Sequence, residues 1–359
     1  MKEIPVSNCE RNFINKCIEE ETRLDGRKLL EPRLVKIYFS SNWGCCMVSL
    51  GHTKAVAQVS CDIQQPKASR PNEGMIRINV ELAPLAAQHF EGGRQSEAAI
   101  LINRQLEKCF KDSKCVDLES LCIVADKKVW NLRIDINIIN HDGNLVDCAS
   151  IATLAALMHF HRPDVTSTGE EIIIHPASEK DFLPLTLFHY PICISFITFK
   201  SGNTIMDPTY IEEKIGVAEL TLGVNSYREL CSLHFDYLTK TMTVKDVISA
   251  VSNDAANYAT KLVQQIKEAV IKDVQSRYDF TIIIYVNDDF MEVENEEKSC
   301  IIKYEEGSAE LIPIPINSIK KEEVFSTFNS SDDSDDEILV KSPFSERKEI
   351  DLVDLIDSD

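Results

Sequence analysis

The sequence predicts an α+β fold of two related halves, with an N-terminal helix before them and an acidic segment after them. Each half contains several strand-like segments followed by a helical segment, which favours two α+β units over a doubly wound parallel sheet. The chain of 359 residues also exceeds the ~100–200 residues of one ordinary domain. It is therefore long enough for a duplicated domain and an additional terminal segment.

The N-terminal helix is predicted by a capping box. Ser7 lies three residues before Glu10, the spacing at which these side chains satisfy free backbone N–H groups at a helix start. Apolar residues follow at helical intervals, so we expect a helix over about residues 7–22. Gly26, within the turn that follows, ends it.

The first half is predicted to hold several strands and two helices. Segments rich in strand-forming residues are expected at 34–39, 44–50, 55–62 and 75–81. Helical spacing of apolar residues predicts a helix over 96–111, and strict alternation predicts a long strand over 130–138. A turn at residues 141–144 should lead from this strand into an apolar helix at 147–159.

The order of strands and then helix repeats in the second half. Strands are expected at 172–175, 192–198, 203–206, 218–224 and 229–235, and a helix at 243–276. Beyond residue 286 the sequence becomes acidic and rich in serine. Such a composition cannot bury enough apolar surface to fold alone.

The net charge of −20 arises mainly in the last fifth of the chain. Residues 288–359 hold 22 Asp or Glu against 7 Lys or Arg, whereas residues 1–287 hold 36 against 31. The nearly neutral body can therefore still present basic surface. The N-terminus lacks the apolar stretch of a signal peptide, and the 12 cysteines form no CxxC, so we expect an intracellular chain with reduced thiols.

A series of short motifs resembles the ribonuclease PH superfamily, and specifically the ring subunits of the RNA exosome. The likeness extends over about residues 20–265. The motifs are Arg23-Leu24-Asp25-Gly26-Arg27, Gly51-His52-Thr53-Lys54-Ala55-Val56, Glu91-Gly92-Gly93-Arg94, Asp112-Ser113-Lys114, His141-Asp142-Gly143 and Met206-Asp207-Pro208-Thr209.

The resemblance implies a ribonuclease PH-type fold of two βαβ-type halves. We expect an N-terminal helix and linker at 1–30, domain 1 at 31–165, domain 2 at 185–280, and a largely disordered acidic tail at 288–359. It also implies a place in a six-membered ring that RNA-binding cap subunits cover and through which single-stranded RNA is threaded.

The implied role is 3′-to-5′ RNA processing and degradation, in rRNA maturation, mRNA decay and RNA surveillance. The expected partners are other ribonuclease PH-like ring subunits, cap subunits, RNA, and exosome-associated nucleases and cofactors, with no membrane. The expected location is the nucleus and nucleolus, and also the cytoplasm. From the residues themselves, which include no CxxC and no nucleotide-binding glycine motif, we expect no bound cofactor and no metal.

The residues of phosphorolytic chemistry are missing. Active members carry Gly-Thr-Arg-Thr/Ser after the Asp-Gly turn, where a helix N-terminus and an arginine hold phosphate. Here Asn144, Leu145 and Val146 form a degenerate phosphate site, and Asp147 adds negative charge beside it. The acidic segment of the second half is reduced to Asp181. We expect a catalytically inactive member; the alternatives are an active phosphate-dependent 3′-to-5′ exoribonuclease and a protein-binding adaptor acting through its tail.

Two basic residues are candidates for RNA contact. Arg104 and Lys108 lie one turn apart on a predicted helix, and they align with basic residues that face RNA in related inactive subunits. Arg94, at the start of that helix, is a third candidate. Proteins contact single-stranded RNA mainly through its phosphates, which Lys and Arg side chains bind. The open alternative is that these charges solvate the helix or pair with Glu107 and Asp112.

Arg23, Asp25 and Arg27 are assigned a structural or interface role. Asp25 would order the turn, and the two arginines would form buried or inter-subunit ion pairs. RNA binding by these residues is the alternative.

The tail carries two candidate regulatory motifs. An acid follows three residues after Ser330 and after Ser334, which suits phosphorylation by an acid-directed kinase. Ile350, Leu352 and Val353 lie in an acid-flanked aliphatic run that resembles a SUMO-interacting motif. The alternative is a solvating acidic tail with incidental aliphatic residues.

Overall fold

The computed structural model describes residues 5–91, 96–167, 172–176, 178–237 and 244–287, and two short strands further on. The chain divides into two units, Met1–Tyr285 and Val286–Asp359. The second unit contains β15 (Cys300–Ile301), which pairs antiparallel with β16 (Ile312–Pro313). The candidates that lie outside the described residues are Arg94, Ser330, Ser334, Ile350, Leu352 and Val353.

Helix α1 (Asn8–Glu19) begins at the predicted capping box. The Glu10 backbone N–H donates to Ser7 Oγ at 3.2 Å, and the Ser7 N–H donates to Glu10 Oε2 at 3.0 Å. The buried face of α1 carries Ile14 and Ile18, which join a small core cluster with residues of the second half. The helix therefore docks on the second half, although the first half follows it in sequence.

The first half is built on a six-stranded sheet in the order β1-β2-β3-β6-β4, with β5 pairing on β6. All pairs are antiparallel except β4 with β6. The long alternating strand predicted from the sequence is the central strand β6. The strands are β1 (Val35–Phe39), β2 (Cys45–Leu50), β3 (Thr53–Gln64), β4 (Met75–Leu82), β5 (Cys122–Val124) and β6 (Lys128–Asn140).

The two helices of the first half differ in character. Helix α2 (Glu97–Leu106) is amphipathic and continues as a π-helical segment (Glu107–Asp112), whereas the sequence predicted one uniform helix. Helix α3 (Leu145–His159) is buried almost all round, because it packs against β2 and β3 on one side and against strand β11 of the second half (Pro191–Thr198) on another. This helix joins the two halves and carries the degenerate phosphate site at its N-terminus.

The second half contains a four-stranded antiparallel sheet in the order β12-β11-β13-β14. Its strands are β11 (Pro191–Thr198), β12 (Thr204–Met206), β13 (Ala218–Asn225) and β14 (Leu230–Tyr237), and its helices are α4 (Tyr210–Ile215) and α5 (Val244–Asn287). Four short strands precede the sheet: β7 (His161–Arg162), β8 (Val165–Ser167), β9 (Ile172–Ile174) and β10 (Leu183–Pro184). One hydrophobic core runs through both halves, and α5 packs into it through residues such as Ala255 and Leu262.

Two general features bear on function. Among the described helices, none combines the length and the apolar character needed to cross a membrane. The cysteines whose side chains are described are all free thiols, and burial raises the pKa of several of them, Cys148 among these.

Candidate functional site

Three arginines and two acids form a buried network that ties residues 23–33 to both halves. We call Arg23, Arg27, Arg33, Asp207 and Glu212 the arginine network. The Arg23 side chain is fully buried and donates two hydrogen bonds to Glu212, from Nε to Oε1 at 3.0 Å and from Nη2 to Oε2 at 2.5 Å. It also donates to the backbone carbonyls of Met206 and Asp207, each at 2.9 Å.

Asp207 is the acid at the centre of this network. Its carboxylate accepts three bonds from Arg33, from the backbone N–H at 2.7 Å, Nε at 2.9 Å and Nη2 at 2.8 Å. Arg27 Nη1 approaches it at 3.2 Å. Burial alone would raise the pKa of Asp207, but the hydrogen bonds and charge of Arg33 hold it below its ordinary value.

Asp25 orders the turn that precedes the network. It accepts the Arg27 backbone N–H at 3.2 Å and pairs with Arg27 Nε at 2.6 Å. The structure thus places Arg23, Asp25 and Arg27 in contacts within the chain. A role for them at a subunit interface stays a prediction.

The N-terminus of α3 lies directly against the second half. Gly143 has φ +80°, and a Cβ built there would lie 2.4 Å from the backbone nitrogen of Tyr210, so only glycine fits this approach. Asn144 also adopts a left-handed conformation, and its backbone N–H donates to Glu213 Oε1 at 2.5 Å. The Asn144 side-chain amide donates to both Asp147 and Asp207 at 2.7 Å. The Asn144 backbone N–H could have donated to an anion at this helix N-terminus, but it donates to the Glu213 carboxyl group instead.

The other residues of the degenerate phosphate site are buried. Leu145 and Val146 belong to the first turn of α3 and to the main core. Asp147 accepts from the Ser195 backbone N–H at 2.9 Å and from Ser195 Oγ at 2.8 Å on strand β11. Burial raises the pKa of Asp147 to about 7.

This geometry corrects the expectation for Asp147. The sequence suggested that Asp147 adds negative charge where phosphate would bind, but the carboxyl group is buried and serves to join α3 to β11. Burial also raises the pKa of Glu213, to about 8. The acid that contacts the N-terminus of α3 is Glu213, which accepts the Asn144 backbone N–H. The sequence did not single out Glu213 for this role.

Asp181 is what the sequence retains of the acidic segment of the second half. It is exposed, and its neighbours are engaged elsewhere. Glu179 lies 3.0 Å from His175 Nδ1, and Lys180 Nζ lies 2.9 Å from Asp164. Within the described residues, no group of three or more His, Cys, Asp or Glu side chains is arranged to hold a metal ion.

Arg104 and Lys108 are both exposed, on α2 and on the π-helical segment that continues it. Within the part of the chain that the structure describes, neither forms an ion pair. Glu107, the partner considered from the sequence, is instead 3.6 Å from Lys111 Nζ. The two candidates are therefore available to a ligand, and their contact with RNA stays a prediction.

Sequence reasoning missed Arg33 and did not foresee the contacts of Asp207 and Glu213. One local signal marked this region, since Thr209 and Glu212 have capping-box spacing and do form that box at the start of α4. The box positions α4 so that Glu212 faces Arg23 and Glu213 faces Asn144.

Comparison with known proteins agrees with this architecture. Residues 31–163 match domain 1 of the 3′ exoribonuclease family (RNase PH), and residues 189–252 match its domain 2. The chain belongs to this family. The resemblance found in the sequence motifs is thereby confirmed.

Among family members, the chain is similar to exosome complex component RRP45 of several organisms. It is 43% identical to the zebrafish protein (Danio rerio) over 278 residues, which cover 77% of this chain and 70% of that protein. It is 42% identical to the human protein over 278 residues, which cover 77% of this chain and 63% of that protein. The matched region thus spans about two thirds of the length of these relatives.

A solved structure of the family confirms the predicted α+β, ribonuclease PH-type fold. A chain of the Archaeoglobus fulgidus exosome with RNA bound to the active site superimposes with a TM-score of 0.62 and 26% identity. The match covers 71% of this chain and 96% of the archaeal one.

Proposed function

We propose that this chain is a non-catalytic ring subunit of the RNA exosome. It would provide structural support and RNA-path contacts for 3′-to-5′ RNA processing and degradation. The similarity to RRP45 proteins and the fold shared with an archaeal exosome chain support the assignment to the ring. The bond from the Asn144 backbone N–H to Glu213 at the N-terminus of α3 carries the non-catalytic part of the proposal.

The chemical reason concerns phosphate. A phosphorolytic site needs free N–H donors and a cation at this helix N-terminus to hold inorganic phosphate beside the RNA. Here Glu213 holds the Asn144 donor, and the two residues that follow are buried and apolar. The Asn144 side-chain amide donates to the buried Asp147 and Asp207, so it is not free to replace the missing arginine as a phosphate donor.

The RNA-path part of the proposal rests on Arg104 and Lys108. Both side chains are exposed, one on α2 and one on the π-helical segment that continues it, where they could hold phosphates of an RNA bound in the ring. The proposed partners are other ribonuclease PH-like ring subunits, cap subunits, exosome-associated nucleases and cofactors, and single-stranded RNA. We also propose the nucleus and nucleolus, and the cytoplasm, as its location, which imaging of a fluorescent fusion would test.

Affinity purification of the tagged full-length chain tests the ring assignment. Mass spectrometry should identify ribonuclease PH-like and cap subunits, and these should co-elute with the chain in gel filtration. A variant that ends at residue 287 is the matched control, because a ring subunit keeps these partners without its tail and a tail-mediated adaptor loses them. Elution of the tagged chain free of such partners would overturn the ring assignment.

A phosphorolysis assay tests the lack of catalysis. The purified chain, alone and with ring neighbours mutated in their own sites, is incubated with end-labelled RNA in phosphate buffer. We expect no nucleoside diphosphate. A parallel reaction without phosphate identifies contaminating hydrolytic nucleases, which do not need it. Phosphate-dependent release of diphosphates would show the alternative, an active exoribonuclease.

A further inference from the structure

A cleft lined by basic residues lies on the first half, outside the site described above. It has a volume of about 600 Å³ and opens between residues 67–77 and residues 111–118. Two acids line it, Glu73 and Asp112. Five cations line it, from both walls, and we call it the basic cleft: Lys67, Arg70, Arg77, Lys111 and Lys114.

Three of the five cations have no counter-ion within the described part of the chain. Arg70 pairs with Glu73 at 2.9 Å, and Lys111 lies 3.6 Å from Glu107. The side chains of Lys67, Arg77 and Lys114 are exposed, and no ion pair or side-chain hydrogen bond engages them among the described residues. Unpaired charges of one sign that converge on a concave surface concentrate the potential there and attract an anionic ligand.

The two walls of the cleft are joined by backbone contacts. The Gly74 N–H donates to the Leu118 carbonyl at 2.8 Å, and Lys67 and Arg70 close the loop by pairing their backbones. A Cβ at Gly74 would lie 2.5 Å from Leu121 Cβ, so the walls are in close contact at this point. The cleft is therefore formed in the free chain, and a ligand would not have to order it.

The cleft also continues the exposed face that carries Arg104 and Lys108. Lys111 follows Lys108 by three residues, while Cys109 and Phe110 between them are fully buried on the opposite side. Arg104 lies on α2, and Lys111 lies seven residues later on the π-helical segment that continues it. A line of cations thus runs along the helix and ends in the cleft.

We propose that the basic cleft binds phosphates of single-stranded RNA, next to the stretch of RNA held by Arg104 and Lys108. The extended line of cations suits a chain of regularly spaced phosphates better than a compact anion, which would engage the cleft alone. This inference rests on the proposed position of the chain on an RNA path. It adds a second RNA-binding subsite to that function.

RNA titration of the full-length chain at several salt concentrations tests the proposal. The probe is a labelled single-stranded RNA of about 20 nucleotides, longer than the ~4–16 nucleotides of an ordinary single-strand site. The test variant combines Lys67→Gln, Arg77→Gln and Lys114→Gln. The control combines Lys28→Gln, Lys36→Gln and Lys54→Gln, which removes the same charge from exposed positions outside the cleft.

Each lost phosphate contact reduces the magnitude of the negative slope of log binding constant against log salt concentration by about 0.7. The cleft variant should therefore lose about 2 from the slope and about 100-fold in affinity near 0.1 M salt, and the control much less. A Lys67→Arg, Lys114→Arg variant, which keeps both charges, should retain the wild-type slope. Circular dichroism of each variant verifies its fold.

Equal slopes for the cleft variant and the control would overturn the proposal, and so would a wild-type chain that fails to bind RNA at low salt. Retained RNA affinity, with loss of binding to a labelled peptide of residues 330–359, would identify an acidic peptide as the occupant. A failure of the proposed function would appear elsewhere, as missing exosome partners in the purification or as released diphosphates. Neither readout measures the contribution of these three side chains to RNA binding.

Discussion

Replacing Arg23 by Met should destabilise the protein severely. Methionine keeps an unbranched chain in the same space but removes the cation. Among the described residues, the buried Glu212 carboxylate then retains only its bonds to Thr209, at 2.8 Å and 3.0 Å. The carbonyls of Met206 and Asp207 also lose a donor. Breaking a buried ion pair on one side costs about 3–5 kcal/mol, a large part of an ordinary ~5–15 kcal/mol stability.

Urea unfolding followed by circular dichroism measures this loss. The matched control is Arg133→Met, since Arg133 pairs with Asp135 at 2.8 Å but keeps 56% of its side chain exposed. Such a surface pair contributes at most about 1 kcal/mol. The double variant Arg23→Met, Glu212→Leu should be more stable than Arg23→Met alone, because no unpaired charge remains buried. A loss below about 1 kcal/mol for Arg23→Met would refute the reasoning from burial and pairing.

Three further predictions concern the N-terminus of α3 and the basic helix. Burial raises the pKa of Glu213 from 4.5 to about 8. Between pH 4.5 and pH 8 this carboxyl group is protonated in the folded chain but loses its proton on unfolding, so the free energy of unfolding falls as the pH rises. Glu213→Gln should make unfolding free energies at pH 5 and pH 8 more nearly equal, and an unchanged pH dependence would contradict the raised pKa. Gly143→Ala should cost more than about 1–3 kcal/mol in urea unfolding because of backbone clash and strain; Gly26→Ala, with a similar φ of +79° and open space around an added Cβ, should cost less. Combined Arg104→Ala and Lys108→Ala should reduce RNA crosslinking in the assembled complex about tenfold or more, and retained crosslinking would remove these residues from the RNA path.

Elements with a local signal were predictable from the sequence. The alternation in β6 and the Ser7 capping box mark structures whose cause lies within a few neighbouring residues, and both are present. The short strands β5, β7, β8 and β10 were missed, because two or three residues carry no periodicity. The π-helical segment was also missed, since its wider turn still buries Cys109 and Phe110 much as an α-helix would.

The candidate site was only partly predictable for a different reason. The departures at Asn144, Leu145 and Val146 are visible in the sequence, and they indicated a lost phosphate site. Which acid meets the helix N-terminus depends on chain topology, because Glu213 lies 69 residues after Asn144. The same holds for the basic cleft, whose cations come from two segments that only the folded sheet brings together.

The arginine network also bears on how the chain is synthesised. Arg23 leaves the ribosome 189 residues before its partner Glu212, a delay of about 10–40 s at ~5–20 residues per second. During that interval the nascent first half lacks Asp207 and Glu212, the two acids of the arginine network, and α1 lacks the surface on which it docks. The N-terminal segment therefore cannot reach its final position until these parts of the second half have been made, which gives chaperones a period in which to hold it.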